Sequence, residues 1–343
     1  MMISDIRLLV MCTVSTGLDA VAEVIRRGGS IEAVIGLDPS FQGKENVSGF
    51  VDVAVFCSRY NVPFRYVKSY SLNESRDRGV FEELSYDLIW VAGWQRLVPQ
   101  WLIESSQMGV VGGHGSPDGI HGGRGRSPQN WALMLGCERF DLALFRITPG
   151  IDEGPVVARR SFFYLPEDDI QISYYRASLM MAEMICDILV CPELVDSGVE
   201  QPAASFYYPQ RKPEDGFIDW ALPRDLIVKH CRSLTRPYPG LRTKLGSLTI
   251  TLWKCQVFDD AIDAGVGEIS FVFESGDFLV CCLDGRVLIR DWSASDQTWM
   301  PTPGDTFESL PFHSQISTII QRHEKKYPDN PVSQRVKRWS GKE

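Results

Sequence analysis

The stretch IRLLVMCTVSTGLDAVAEVIRRGGSIEAVIGLD, Ile6 to Asp38, sets two apolar runs on either side of a helical segment. Ile6 to Cys12 is a near-continuous apolar run, the pattern of a strand buried on both faces. LDAVAEVIRR then reads as a helix that closes on Gly28 and Gly29. Ile31 to Leu37 is a second buried strand, ending at Asp38. The alternation continues with a helix over Val51 to Tyr60, a short strand over Val62 to Val67 and a buried strand over Asp87 to Ala92. Strand alternating with helix predicts an α/β fold with a parallel, doubly wound sheet. Such sheets bind ligands at the carboxyl ends of their strands.

The first turn, CTVSTGLD, is not GxGxxG, and the chain has no GxxxxGK[ST] segment. A nicotinamide dehydrogenase and a P-loop enzyme are therefore disfavoured. The chain has 343 residues, 44 % of them hydrophobic, enough for one large or two modest cored domains. Its formal net charge of −9 argues against a nucleic-acid partner, which needs a basic surface. Nine cysteines are scattered with no CxxC pair and no zinc-ligand spacing, so the reading is buried thiols in a reducing cytoplasm with no metal. The N-terminal apolar run is too short and leads too directly into the strand-helix pattern to be a signal peptide. No apolar stretch reaches the length of a membrane helix.

Beyond Asp87 the segment VVGGHGSPDGIHGGRGRSPQNWALMLG places His114 after an apparent strand at Val110-Val111. Ser127 reads as an N-cap, Pro128 as the first helical residue and Gly136 as the stop. Asp141 to Ile147 alternates as a strand, the turn TPGIDEGP follows, and a long helix starts near Glu167 and runs to about Val190. PELVDSGVEQPA is a linker. Short alternating strands over Leu248 to Trp253, Glu268 to Val272, Phe278 to Cys282 and Val287 to Ile289 predict a small barrel or sandwich. After Trp292 the sequence turns polar, with a helix near His313 to Lys326 and a basic tail. The expected division is 1–200, 201–295 and a polar extension over 296–343.

Two residues stand out for chemistry. His114, at a strand end among glycines that would let ligands reach it, can move protons near neutral pH. Asp152, in Gly-Ile-Asp-Glu-Gly, sits on a second turn after a strand, and flanking glycines allow close approach of ligands.

GVVGGHGSPDGIHGGRGRSPQNWALMLG followed by FRITPGIDEGPVV resembles the catalytic core of the folate-dependent formyltransferases. His114, Ser116, Arg124-Gly125, Pro128, Trp131, Gly136 and Asp152-Glu153-Gly154 match it. The HGS and RGRxPxNW variants look closest to sugar N-formyltransferases such as the domain that acts on UDP-4-amino-4-deoxyarabinose. RKPEDGFIDW and LTRPYPGLRTKLG resemble the start of the family's C-terminal domain. The resemblance, over residues from about 5 to 292, implies a Rossmann-like catalytic domain, a small OB-like C-terminal domain, and a homodimer by analogy.

It also implies transfer of a formyl group from N10-formyltetrahydrofolate to an amine, here on a nucleotide-linked amino sugar. His114 would shuttle the proton and Asp152 would orient it. The pterin would lie against Gly93, Trp94, Gln95, Arg96 and Leu97 and against the loop that includes Thr148, Gly150 and Ile151. Ser116, Arg124 and Arg126 are candidates for holding the acceptor or its phosphates. Gly112 stands where the family's catalytic triad has asparagine, the oxyanion donor; losing such a donor commonly costs about 10²–10³ in rate. A backbone N–H near Gly112, Asn130, His121 or charged His114 can replace it. The departure also keeps open a binding module, or transfer of another one-carbon or acyl group.

Overall fold

The computed structural model describes residues 5–41, 47, 49–203 and 206–341. Contacts divide the chain into two units. The first comprises the described residues of Met1–Arg124, Phe140–Phe162 and Tyr174–Ala204; the second comprises those of Gly125–Arg139, Phe163–Ser173 and Ser205–Glu343.

In the first unit the chain runs β1 (Leu8–Met11), α1 (Ser15–Arg26), β2 (Ile31–Leu37), α2 (Val53–Tyr60), β3 (Phe64–Val67), α3 (Ser75–Glu82), β4 (Leu88–Val91), α4 (Gln100–Ile103) and β5 (Val110–Ser116). After β6 (Arg124–Gly125) and α5 (Pro128–Met134), the latter a part of the second unit, come β7 (Arg139–Arg146), β8 (Val156–Phe163) and α6 (Ile170–Val190). The sheet order is β3-β2-β1-β4-β5-β7-β8. The order reverses between β1 and β4, which places the switch point of the sheet there. Every residue of β1 is buried, as its apolar run requires.

The five strands from β3 to β5 are parallel, the Rossmann-like part of the expected fold. The sheet is mixed, however, because β7 pairs with β5 antiparallel. The strand β5 is also longer than its two valines suggest: His114 lies inside it, opposite Ala143, and not beyond its end. Three of the four residues after Val111 are glycine, and glycine leaves no apolar-polar alternation to read. Ser127 adopts a left-handed conformation (φ 53°) and makes no side-chain cap, while Pro128 does open α5. Gly17 seats α1 on the sheet: a Cβ there would fall 1.8 Å from the Ala92 carbonyl oxygen.

The second unit contains β9 (Tyr207–Tyr208), α7 (Arg224–Leu234), β10 (Leu241–Leu245), β11 (Leu248–Asp259), β12 (Ile269–Val272), β13 (Phe278–Cys282), β14 (Gly285–Ala294), α8 (Phe312–Lys326) and α9 (Gln334–Lys337). Its five-stranded antiparallel sheet has the order β10-β11-β14-β13-β12. The two edge strands are linked by the segment after Pro303: Phe307 N–H donates to Gly267 O at 2.9 Å, and Glu308 N–H donates to Lys244 O at 2.8 Å. That strap closes the sheet into a small barrel.

The strap and α8 correct the expected polar extension over 296–343. Phe307, Phe312, Ile316, Ile319 and Val336 are buried in one core with Trp131, Trp220 and Phe278. The helix α8 is polar on average but apolar on one face, at 312, 316, 319 and 320, and composition averages that stripe away. Lys342, at the end of the basic tail, and the N-terminal residues 1–4 lie outside the described residues. No helix among the described residues is long and apolar enough to cross a membrane.

His230 of α7 is buried with its ring 4.4 Å from that of Phe312. Burial, with the charges of Arg211 and Lys229, pushes its imidazole down to about 3. The folded chain therefore keeps it neutral, whereas the unfolded chain takes up a proton near pH 6.5. The penalty is absent above that pH and grows as pH falls toward 3. At pH 5 it is about 2 kcal/mol. A His230→Phe chain is expected to lose less thermal stability than the parent between pH 7 and 5. Parallel melting-temperature curves would contradict this.

Candidate active site

His114 Nδ1 lies 3.4 Å from Asp152 Oδ2, with side-chain exposures of 11 % and 27 %. The two residues named from the sequence therefore do come together. The other ring nitrogen, Nε2, lies 3.1 Å from the Gly123 carbonyl oxygen. The Asp152 carboxylate can only accept, so the contact at Nδ1 calls for a proton on that nitrogen. Asp152 itself is left-handed (φ 50°), a conformation that Asp adopts more readily than most residues. Gln201 holds that loop: its Nε2 donates to the Asp152 carbonyl at 3.1 Å and to the Gly154 carbonyl at 2.5 Å.

The glycines around His114 have a different reason from the expected one. A Cβ at Gly113 would fall 2.1 Å from Met181 Cε, and one at Gly115 would fall 2.3 Å from Phe140 Cε1. A Cβ at Gly112 would fall 2.8 Å from Ile147 Cδ1. Protein side chains take up the room beside the buried Gly112 and Gly115, while Gly113 is exposed.

The segment after β4 is anchored through Tyr70. Gly93 is left-handed (φ 97°), and a Cβ there would fall 2.3 Å from Val14 Cγ2, so only glycine fits. Trp94 is buried and its indole N–H donates to the Tyr70 carbonyl at 3.2 Å. The Gln95 N–H donates to the Tyr70 hydroxyl at 2.9 Å, and the Arg96 guanidinium lies 4.7 Å from the Tyr70 ring centroid. Trp94 is thus a fixed anchor of the segment, while Leu97 and Ile151 turn outward, 59 % and 41 % exposed.

Two buried oxygens on or beside the Asp152 loop have no hydrogen-bond partner: Thr148 Oγ1 and Gln201 Oε1. Gly150 lies in the same loop, half-buried. Ser116 is buried, and its hydroxyl accepts from the Asp118 N–H at 3.1 Å, which holds the turn. Arg124 is only 5 % exposed, and its Nε has no partner. Arg126 is exposed and belongs to the second unit, where its backbone N–H donates to Tyr208 O at 2.9 Å. Asn130 also belongs to that unit, and both ends of its amide are engaged, with the Ser233 carbonyl and with Arg211. It is therefore no free donor to replace an asparagine at 112. His121 is half-buried on the loop after β5.

Tyr70, Gly123, Ile147 and Gln201 were not found from the sequence. Each is an isolated residue whose role comes from a long-range contact, and no local pattern marks it. Among the described residues no group of three or more His, Cys, Asp or Glu side chains is placed to hold a metal ion. Cys12, at the end of β1, is buried, and burial pushes its thiol up to about 12, so it is no nucleophile near neutral pH.

Residues 8–186 match the formyl transferase family, and residues 211–303 match the formyl transferase C-terminal domain. The chain belongs to the formyl transferase family. Its class is therefore that of enzymes that transfer a formyl group, with N10-formyltetrahydrofolate as the family's donor. A methionyl-tRNA formyltransferase of Geobacter sulfurreducens is 26 % identical over 302 residues, 87 % of this chain and 92 % of its own length. Among solved structures, a HypX variant from Aquifex aeolicus superposes with a TM-score of 0.61 at 15 % identity. That match covers 96 % of this chain, which spans only 49 % of the HypX chain. An N-formyltransferase from Helicobacter canadensis, in complex with folinic acid and dTDP-3-aminofucose, has a TM-score of 0.54 at 12 % identity. It covers 84 % of this chain and 100 % of its own. At such identities these two likenesses speak for the fold.

Proposed function

We propose that this chain formylates the amine of a nucleotide-linked amino sugar, with His114 and Asp152 as its catalytic pair. The observation that carries the acceptor class is Arg124. A guanidinium that is 5 % exposed, with an Nε that has no partner, calls for an anion. Arg124 directly follows Gly123, whose carbonyl meets His114. A diphosphate linked to an amino sugar supplies both the anion and the amine. The net charge of −9 favours such a small acceptor over a polyanion. The names of the Geobacter relatives favour methionyl-tRNA as the second reading. The free thiols of all nine cysteines fit a cytoplasmic protein.

The residues present also fit a folate. Thr148 Oγ1 and Gln201 Oε1 are buried acceptors suited to the N–H groups of a pterin, and the exposed Ile151 and Leu97 offer apolar surface. When bound, the folate supplies the formyl group. Asp152 holds the imidazole through Nδ1, which leaves Nε2 for proton transfer. Once the Gly123 carbonyl yields its place, His114 takes the proton shed by the attacking nitrogen and delivers it to the leaving one. The amine gains a carbon–nitrogen bond as the folate loses one, so no other reactant is needed.

An Arg124→Gln chain tests the acceptor assignment. Losing a charged hydrogen bond is expected to raise the KM for the amino-sugar nucleotide about 10–100-fold. Affinity for 5-formyltetrahydrofolate should stay unchanged. An equal loss on the folate, or no change in KM, would contradict it.

A further inference from the structure

On β5, alternate residues share a face, so Val110, Gly112, His114 and Ser116 point the same way. Val110 and Gly112 offer no polar side-chain atom, and Ser116 is fully buried, its hydroxyl oxygen accepting from the Asp118 N–H. The space beside Gly112 is not open to a ligand. Ile147 reaches into it, with Cδ1 2.8 Å and Cγ1 3.2 Å from where a Cβ would stand, and Val91 Cβ lies 3.7 Å away. The Ile147 backbone is fixed there, since its N–H donates to the Val110 carbonyl at 2.7 Å.

We propose that Ile147 is a positioning residue that makes the wall beside His114 hydrocarbon, leaving the imidazole as the one side-chain donor from β5 to the formyl oxygen. The inference rests on the formyl-transfer reading. Ile147 precedes the Thr148–Asp152 loop directly, so the residue that fills this wall also sets the entry to the loop that carries Asp152. A developing charge on the formyl oxygen needs a donor in a dry site. Ile147 excludes both a polar side chain and water from one flank, and His114, once it holds the proton from the attacking nitrogen, supplies the N–H from the other.

The test compares the parent with Gly112→Asn, Ile147→Ala and the double variant. Thermal melts read the packing, and the affinity ratio of 10-formylfolate to folate, which differ only in the N10 formyl group, reads the donor. Gly112→Asn alone is expected to melt lower than the parent, and adding Ile147→Ala should recover part of that loss. The double variant, with room for an amide, should raise the affinity ratio about tenfold, one good hydrogen bond. Full stability of Gly112→Asn with Ile147 in place would overturn the inference. So would a double variant whose affinity ratio equals that of the parent. If the parent binds neither folate, the formyl-transfer reading fails, and the melts still decide whether Ile147 fills the wall.

Discussion

The Asp152→Asn chain is expected to keep its fold and its folate affinity and to lose turnover about 10²–10⁴-fold. The carboxylate oxygen 3.4 Å from His114 Nδ1 would become an amide atom with no charge, and the imidazole would lose the group that fixes its orientation. Asparagine tolerates the left-handed backbone at 152 as well as aspartate does. The grip of Gln201 on the loop goes to main-chain carbonyls, so the substitution leaves it intact. Single-turnover rates, set beside a thermal melt and a folate titration, check the prediction. Turnover within threefold of the parent would remove Asp152 from the machinery. A fall in melting temperature to match the fall in rate would make its role structural.

The second large effect is on stability. Trp220 is fully buried, its indole N–H donates to Thr243 Oγ1 at 3.1 Å, and its ring stacks on Phe307 with centroids 5.8 Å apart. Trp220→Ala empties the middle of the barrel core and is expected to cost about 3–5 kcal/mol. The Thr243 hydroxyl keeps its bond to the Glu308 carbonyl, so the loss is one of packing and cavity. Phe307 sits on the strap that joins the two edge strands, so the closure should loosen as well. A melting temperature lower by about 10 °C or more is the expected reading. A fall of less than about 3 °C would show that the core collapses around the gap.

The parts of the fold legible in the sequence are those where side chains carry the signal. The runs in β1, β2 and β4 are apolar because both sheet faces are covered, and their bounds were read to within two residues. The strand β5 was cut short because glycine has no side chain to alternate. Likewise α8 and its strap looked like an extension because a narrow apolar stripe disappears in an average. His114 and Asp152 were legible because a histidine and an acid among glycines mark turns and strand ends. Ile147 and Gln201 are not: one reads as the last residue of an ordinary strand and the other as a linker residue. Only the tertiary fold brings Ile147 beside Gly112 and Gln201 onto the Asp152 loop. Packing against Ile147 and Phe140 explains Gly112 and Gly115, a reason that the sequence does not show, whereas Gly113 is exposed.

The central claim is formyl transfer to an amino-sugar nucleotide by His114. Its most direct test is to mix the protein with N10-formyltetrahydrofolate and either a panel of UDP- and dTDP-linked amino sugars or methionyl-tRNA. Tetrahydrofolate release and product mass are then followed for the parent and for His114→Asn. The account predicts release that depends on an amino sugar, a product heavier by one formyl group, and loss of both in the variant. Formylation of methionyl-tRNA with every amino sugar left unchanged would contradict it.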